Sequence, residues 1–101
     1  MLVSVVLCTY SQDRYSDFYE AAESIINQTY NKIELIIVVD GNSDVYHRVE
    51  EDFGNRNDII IQLNDRNLGL LRSRNTGARL ANGDVVSFID DDAIADEEWI
   101  E

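Results

Sequence analysis

Four short apolar runs along the chain have the composition of buried β-strands. Val3–Cys8 and Ile33–Val39 are rich in β-branched residues and almost continuously apolar. Runs without alternating polar positions are typical of strands that are covered on both faces, as in a parallel sheet. Similar runs at Asp58–Leu63 and at residues 84–89 predict a third and a fourth strand.

The segments between these runs predict helices. Residues 15–28 place apolar side chains on one stripe, formed by Phe18, Ala22, Ile25 and Ile26. Residues 44–53 predict a weaker helix, in which the apolar residues stand four apart at Val45, Val49 and Phe53. Residues 69–82 predict a third helix closed by Asn82-Gly83, and the residues available to pack are Leu70, Leu71, Ala78 and Ala81.

Regular alternation of strands and helices predicts an open α/β domain with a parallel sheet. With 101 residues, the segment 1–101 fits a single domain with a modest core. An acidic first turn beginning at Asp96 predicts a further helix, and the sequence ends about one turn into it. We therefore expect residues 1–101 to be a fragment of a longer protein.

The balance of acidic and basic residues limits the kinds of molecule that the protein can bind. Twenty acidic residues against eight basic ones give a net charge of −12. Nucleic acid and anionic membrane surfaces are disfavoured, because both need clustered basic side chains. Seven arginines stand beside the single Lys32. This pattern resembles proteins of salt-accumulating halophiles, whose dense surface charge is screened by salt, although it also suits an ordinary acidic protein.

Two further observations concern the cellular compartment. The single cysteine, Cys8, cannot form an internal disulfide, and its apolar run predicts a small buried core residue. Met1–Ser4 lacks the basic and apolar regions of a signal peptide, and no apolar run has the length of a membrane span. We therefore expect a cytoplasmic protein without a membrane segment in this chain.

Polar residues follow three of the predicted strands. Thr9-Tyr10 comes after the first strand, Asp40 after the second and Asp90-Asp91-Asp92 after the fourth. Ligands of open α/β sheets bind beyond the carboxyl ends of the strands, so these positions are expected to converge on one edge. Strand-end loops are polar in any case, which is the alternative reading of the same pattern.

The triple aspartate is a candidate metal site. Hard oxygen ligands suit Mg²⁺ or Mn²⁺, and Asp90 and Asp92 project to one side if the strand geometry continues. Such a cation would neutralise the charge that develops on a diphosphate leaving group. A solvated acidic turn is the alternative. An EF-hand is rejected, because Ile94 cannot ligate through its side chain and Ala95 stands where glycine is needed.

Other catalytic classes have little support. The sequence has neither a Gly-x-Gly-x-x-Gly loop nor a Walker loop. His47 is the single histidine and lies on the exposed side of a weak helix, and Cys8 lies within a strand. Arg72 and Arg74 begin the third helix beside the polar edge, where they could contact a nucleotide or form ion pairs with acidic side chains.

Taken as a set, these residues resemble the inverting family 2 glycosyltransferases of the GT-A fold. The resemblance runs over essentially the whole chain. It rests on the opening strand with Thr9-Tyr10, Asp40-Gly41-Asn42-Ser43-Asp44, Asn67-x-Gly69, Arg74-Asn75-x-Gly77 and Asp90-Asp91-Asp92. It implies a Rossmann-like, mostly parallel sheet with helices on both faces and strand order 3-2-1-4. It also implies a nucleotide-sugar donor, commonly a UDP-sugar, and a divalent metal.

The resemblance also implies roles for individual residues. Thr9 and Tyr10 would line the nucleotide pocket, and Asp40 would hydrogen-bond the base. Asp91 or Asp90 would reach the ribose, and Asp92, with Asp90, would hold Mg²⁺ or Mn²⁺ in an Asp-x-Asp motif. Arg74 occupies a nucleotide-binding position of the family. This chain departs from the usual pattern at Ser73, where alanine is common, and at Asp40-Gly41-Asn42-Ser43, which has one carboxylate where the family usually has two.

The general base of the family and its acceptor-binding half lie beyond the triple aspartate, so no catalytic residue is assigned within this chain. We expect the donor-binding part of a glycosyltransferase, inactive by itself, whose acceptor is an unknown glycan, lipid or protein. A sugar-1-phosphate nucleotidyltransferase is an alternative, but the loop Thr9–Asp13 lacks the glycines it needs. A non-catalytic metal- or nucleotide-binding module is a further alternative.

Overall fold

A computed structural model describes residues 1–28 and 32–89. The triple aspartate, the rejected EF-hand segment and the helix expected from Asp96 lie outside these residues. Strands and helices alternate along the chain: β1 (Val3–Thr9), α1 (Tyr15–Ile26), β2 (Ile33–Asp40), α2 (Ser43–Phe53), β3 (Ile59–Asn64), α3 (Leu70–Leu80) and β4 (Val85–Ile89). A short 3-10 helix, Gln12–Arg14, precedes α1.

The four described strands form one parallel sheet in the order β3-β2-β1-β4, which confirms the expected α/β architecture. The register aligns the carboxyl ends of three neighbouring strands. Thr9 pairs with Val39, Val39 pairs with Leu63, and Asp40 pairs with Asn64. The polar residues that end β1, β2 and β3 therefore meet at one edge of the sheet.

Successive residues of a strand point to opposite faces, and both faces of this sheet are covered. On one face, Val5, Leu7 and Ile37 are buried in a cluster with apolar residues of α1 and α2. On the other face, Val6, Ile36 and Val38 are buried next to Leu80 and Ala81 at the end of α3. The near-continuous apolar runs of β1 and β2 follow from this two-sided burial, and the expected helices on both faces are confirmed.

The packing face of α3 differs from the prediction. Leu70 and Leu71 are 54% and 73% exposed, whereas the buried residues of this helix are Ser73 and Gly77. A Cβ atom added at Gly77 would lie 2.4 Å from Val6 Cγ1, so the backbone of α3 approaches β1 closely. At the start and middle of α3, small residues rather than Leu70 and Leu71 therefore face the sheet, and Leu80 packs against it at the end.

Two further expectations about burial are wrong. The fourth strand was expected to be buried, but Val85 and Phe88 are 41% and 43% exposed. Among the described strands β4 pairs with β1 alone, so it lies at the edge of the described sheet. Cys8 is half-buried rather than buried, because the end of β1 borders a cavity described below.

Polar contacts fix the turn between α3 and β4 at the opposite edge of the sheet. Glu34, at the start of β2, accepts hydrogen bonds from the Asn82 amide at 2.9 Å, the Asn82 side chain at 2.7 Å and the Ser4 hydroxyl at 2.6 Å. The Gly83 amide in turn donates to Ser4 Oγ at 2.9 Å. The residues that follow α3 are thus attached to the beginnings of β1 and β2. No helix in the described part of the chain has the length and apolar character needed to cross a membrane.

Candidate functional site

A cavity of about 590 Å³ lies at the carboxyl ends of the strands, at the edge that the sequence analysis singled out. Three of the predicted site residues, Thr9, Tyr10 and Asp40, line it. Its other polar walls come from Arg14, Asn67, Gly69 and Ser73, and its apolar walls from Cys8, Leu70 and Ile89. Residues distant in sequence therefore converge on a single concave surface, as open α/β sheets arrange them.

Asp40 is the last residue of β2 and lines this cavity. Both oxygens of its carboxylate accept hydrogen bonds from other parts of the chain. Its Oδ1 atom accepts hydrogen bonds from the Leu68 amide at 2.8 Å and from the Asn64 side chain at 3.0 Å. Its Oδ2 atom accepts one from the Gly69 amide at 2.9 Å. The side chain of Asn64 also donates to Ser73 Oγ at 3.1 Å. The side chains of Asp40, Asn64 and Ser73 form a buried polar cluster, called here the Asp40 cluster.

These donors decide the ionisation of the carboxyl. Burial by itself raises the pKa of Asp40, because the charged form loses its contact with water. Hydrogen bonds from the Leu68 amide, the Asn64 side chain and the Gly69 amide favour the charged form, and the Ser73 hydroxyl adds to them. Together they outweigh burial and leave the pKa of Asp40 below its ordinary value. The site therefore contains a fixed negative charge at neutral pH.

Gly41 brings the loop after β3 against the end of β2. Its φ angle is +63°, a conformation that favours glycine, and an added Cβ would lie 2.4 Å from the Asn67 backbone nitrogen. The Gly41 amide donates to the Asn64 carbonyl oxygen at 3.2 Å. Asp40 and Gly41 together hold the loop 65–69 in place, and this loop forms one wall of the cavity.

Thr9 lines the cavity and has a buried, unsatisfied hydroxyl. The residue is 1% exposed, and its Oγ1 atom has no hydrogen-bond partner among the residues that the structure describes. A buried hydroxyl without a partner destabilises a folded protein by about 1–3 kcal/mol. A polar ligand group that reached Oγ1 would remove this cost.

The rim of the cavity is connected to the start of α2. Tyr10 is 52% exposed, and its carbonyl oxygen accepts a hydrogen bond from the Asn42 side chain at 3.0 Å. The Oδ1 atom of Asn42 accepts from the Val45 amide at 3.2 Å and so caps α2. One amide side chain therefore caps a helix and positions the aromatic residue at the mouth of the cavity.

The structure places the arginines at different positions relative to the cavity. Arg14, which the sequence analysis did not select, lines the cavity. Arg74 is half-buried on α3, with its guanidinium 5.9 Å from the centroid of the Phe88 ring, and it is not among the cavity-lining residues. Arg72 is exposed. Arg74 therefore lies on the side of α3 that faces β4.

The predicted metal ligands Asp90 and Asp92, and Asp91 with them, lie outside the described residues. Within residues 1–28 and 32–89, no group of three or more His, Cys, Asp or Glu residues could hold a metal ion. Ile89, which precedes the triple aspartate, pairs with Leu7 of β1 and lines the cavity. The described part of β4 thus leads the chain to the cavity wall at the residue before the aspartates.

Sequence reasoning missed several residues that build the site. Asn64 and Ser73 are buried partners of Asp40, and Asn67 and Arg14 line the cavity. Two signals pointed to the first pair. Asn64 is a polar residue at the end of an apolar strand. Ser73 stands where alanine is usual in the family 2 glycosyltransferases that the sequence resembles. The backbone amides of Leu68 and Gly69 carry no sequence signal, because every residue except proline has one.

Comparison with known proteins identifies the class. Residues 4–101 match the model of the glycosyl transferase family 2, and the chain therefore belongs to this family. It is 54% identical over 101 residues to a glucosyl-dolichyl phosphate glucuronosyltransferase of Haloferax volcanii, covering 100% of this chain and 32% of that protein. It is 40% identical to an uncharacterized glycosyltransferase of Haemophilus influenzae, covering 99% of this chain and 31% of that protein.

Solved structures agree on the fold. Crystallised S. aureus TarS 1-349 in complex with UDP superposes with a TM-score of 0.82 and 26% identity, over 97% of this chain and 29% of that one. The mannosyltransferase PcManGT of Pyrobaculum calidifontis, in complex with GDP-Man and Mn²⁺, gives a TM-score of 0.75 at 24% identity, over 92% of this chain and 28% of that one. The chain thus spans about a third of the length of these four proteins.

Replacing Asp40 by asparagine tests the energetic role of the carboxylate. We expect Asp40→Asn to lower the free energy of unfolding at pH 7 by about 2 kcal/mol, because an amide cannot accept all the donors that surround position 40. The folded-state pKa of Asp40 is depressed, so its stabilising contribution is present above the unfolded pKa of about 4 and is lost as the pH falls through the folded-state pKa. Urea unfolding at pH 7 and near pH 3 should therefore show the difference between wild type and variant shrinking in acid.

The control is Asp65→Asn, which changes an exposed carboxylate of the same loop and should alter stability by less than about 0.5 kcal/mol. A constant difference between wild type and Asp40→Asn across this pH range would contradict the assigned role of the charge.

Proposed function

We propose that the chain is the donor-binding part of a metal-dependent glycosyltransferase that moves a sugar from a nucleotide-sugar, a UDP-sugar in this proposal, to a glycan, lipid or protein acceptor. The observation that carries the proposal is the cavity at the carboxyl ends of the strands, which Thr9, Tyr10 and Asp40 line. Its volume of about 590 Å³ lies in the range of small-molecule sites. The complex of TarS with UDP supports a uridine nucleotide as the ligand.

Each part of the nucleotide has a candidate partner in this cavity. The base would enter between Thr9 and the loop 65–69, and the exposed Tyr10 ring at the rim would stack on it. The Thr9 hydroxyl would gain its missing partner from the base or the ribose. Asp40 would contribute a negative charge at the base end. Arg14 and Arg74 supply cationic groups near the site, and Arg74 would approach the nucleotide from the side of α3 that faces β4.

The metal site is proposed from the donor chemistry of the triple aspartate. Carboxylate oxygens suit Mg²⁺ or Mn²⁺, and the described part of β4 delivers the chain to the cavity wall at Ile89. Asp90 and Asp92 would hold the cation, and Asp91 or Asp90 would reach the ribose. When bound, the cation would neutralise the diphosphate leaving group. The Mn²⁺ in the PcManGT complex is in keeping with this choice of metal.

No residue of this chain is assigned as the general base. The chain corresponds to about a third of its relatives, and we propose that the base and the acceptor site belong to the part of the enzyme outside residues 1–101. In that division of labour, residues 1–101 bind and orient the donor. Sugar transfer would need both parts.

Changing Thr9 to valine separates ligand binding from folding. Thr9→Val removes the hydroxyl and keeps the shape of the side chain. We expect it to weaken UDP binding by about tenfold, the effect of one hydrogen bond, as measured by calorimetry in the presence of Mn²⁺. The same change should leave the unliganded protein as stable or more stable, because a buried hydroxyl without a partner is lost.

Thr76→Val is the matched control, since the Thr76 hydroxyl donates to the Arg72 carbonyl oxygen on α3 and does not line the cavity. Unchanged UDP affinity in Thr9→Val would remove Thr9 from the site. Absence of UDP binding to folded wild-type protein at any metal concentration would overturn the proposed function and favour a non-nucleotide module.

Metal dependence is tested at the triple aspartate. We expect UDP and UDP-sugars to bind more tightly with Mn²⁺ than without it, and Asp92→Ala to abolish this difference while metal-independent binding persists. Calorimetric titrations with and without Mn²⁺ measure both quantities. Asp96→Ala, a nearby acidic change outside the proposed metal ligands, serves as the control. Equal metal dependence in Asp92→Ala and wild type would contradict the assignment of Asp92.

The acidic composition leads to a separate proposal, that the protein is adapted to high salt. At a net charge of −12, repulsion between carboxylates opposes folding, and molar salt shortens the Debye length to about 3 Å. We expect the midpoint of thermal unfolding to rise between low salt and molar KCl, as followed by circular dichroism. A variant with two exposed acids neutralised, Glu20→Gln with Glu51→Gln, should respond less. A flat response to salt in the wild-type protein would refute halophilic adaptation.

A further inference from the structure

The loop 65–69 forms a wall of the cavity, but few of its own side chains hold it in place. Asn67 and Gly69 line the cavity, and Gly69 has a φ angle of +90° with nothing within 4 Å of an added Cβ. The loop is attached to the sheet through the amides of Leu68 and Gly69, which both donate to the carboxylate of Asp40, and the Gly69 amide is also 3.2 Å from Asn67 Oδ1 within the loop. The position of this wall therefore depends on where the Asp40 carboxylate lies.

Two side chains determine that position. Asn64 Nδ2 is 3.0 Å from Asp40 Oδ1 and 3.1 Å from Ser73 Oγ, so it connects the end of β3 to both β2 and α3. Asn64 is 7% exposed and Ser73 is 1% exposed. Buried donors of this kind restrict the carboxylate to one orientation, because any other orientation leaves a buried polar group without a partner.

The burial of Ser73 also indicates what its hydroxyl does. Packing of α3 on the sheet does not by itself need a hydroxyl at this position. Gly77, one turn later on the same face, packs directly against Val6 without any polar group. An alanine would fill the Ser73 position and leave the helix intact. The hydroxyl instead accepts a hydrogen bond from the Asn64 side chain inside the Asp40 cluster, next to the cavity that Ser73 also lines.

We propose that Asn64 and Ser73 are positioning residues for nucleotide binding, which act by orienting the Asp40 carboxylate so that it holds the Leu68 and Gly69 amides and thereby the cavity wall. The nucleotide clause of this proposal rests on the proposed function. The clause about the loop stands on the hydrogen bonds of the chain itself.

Amide hydrogen exchange and nucleotide titration test the two clauses separately in the 101-residue chain. In Ser73→Ala and Asn64→Leu we expect the Leu68 and Gly69 amides to exchange at least about tenfold faster, while central-strand amides such as that of Ile37 keep their rates. We expect the dissociation constant for UDP, measured with Mn²⁺, to rise by about fivefold in both variants. Ser73→Thr keeps the hydroxyl and should restore both quantities to within about twofold of wild type.

The variants are chosen to keep the protein folded. Alanine is a better helix former than serine, so Ser73→Ala preserves α3. Ser24→Ala is the matched control, because it removes a hydroxyl that donates to the Ala21 carbonyl oxygen on α1, away from the cavity.

Three results would overturn the proposal. Unchanged exchange at Leu68 and Gly69 in both variants would refute the hold on the loop. Faster exchange with an unchanged dissociation constant for UDP would refute the coupling to the nucleotide. Failure of the wild-type protein to bind UDP would overturn the proposed function and the nucleotide clause with it, whereas the exchange rates would still decide whether Asn64 and Ser73 position the loop.

Discussion

The carboxylate of Asp40 is buried at the end of a central strand, where its charge must be matched by hydrogen-bond donors. The chain supplies these donors from the end of β3, from the loop 65–69 and from α3. This requirement brings the three elements together at one edge of the sheet, and Gly41 permits the close approach that it needs. The cavity lies where they meet, so its shape follows from the need to solvate one charge with protein groups rather than with water.

Most of the fold could be predicted from the sequence, because it depends on patterns that are local. The β-branched runs of β1 and β2 are apolar on both sides, which a parallel sheet with helices on both faces explains. The predictions that failed concern burial, which depends on packing between elements that are distant in the sequence. Leu70 and Leu71 were expected in the core because they are apolar, but the close approach of α3 to β1 selects Ser73 and Gly77 for that face. An edge strand and a buried strand also have similar sequences, which is why the exposure of β4 was missed.

Some residues of the candidate site could likewise be predicted from local sequence, and others could not. Thr9, Tyr10 and Asp40 follow strands directly, and the topology alone brings them to one edge. Asn64 and Ser73 act through contacts between β2, β3 and α3, and nothing within a few residues of either one reveals its partner. Arg14 belongs to the short helix before α1, a segment that the sequence analysis treated as an ordinary polar connection.

The polar networks around Glu34 and Asp40 share one strand. Glu34 and Asp40 stand near opposite ends of β2, on the face that α3 covers, and each is attached to one end of the α3 segment. Six residue steps along a strand span about 20 Å. The eleven residues of α3 span about 16 Å, and the non-helical residues Gly69, Ala81 and Asn82 cover the rest of the distance between the two carboxylates. The distance between the two carboxylates along β2 therefore limits the length of the segment that runs from Gly69 to Asn82. A residue inserted into or deleted from α3 would shift its register by about 100° and misalign it with one carboxylate or the other, so the length of this helix is constrained by electrostatics at both of its ends.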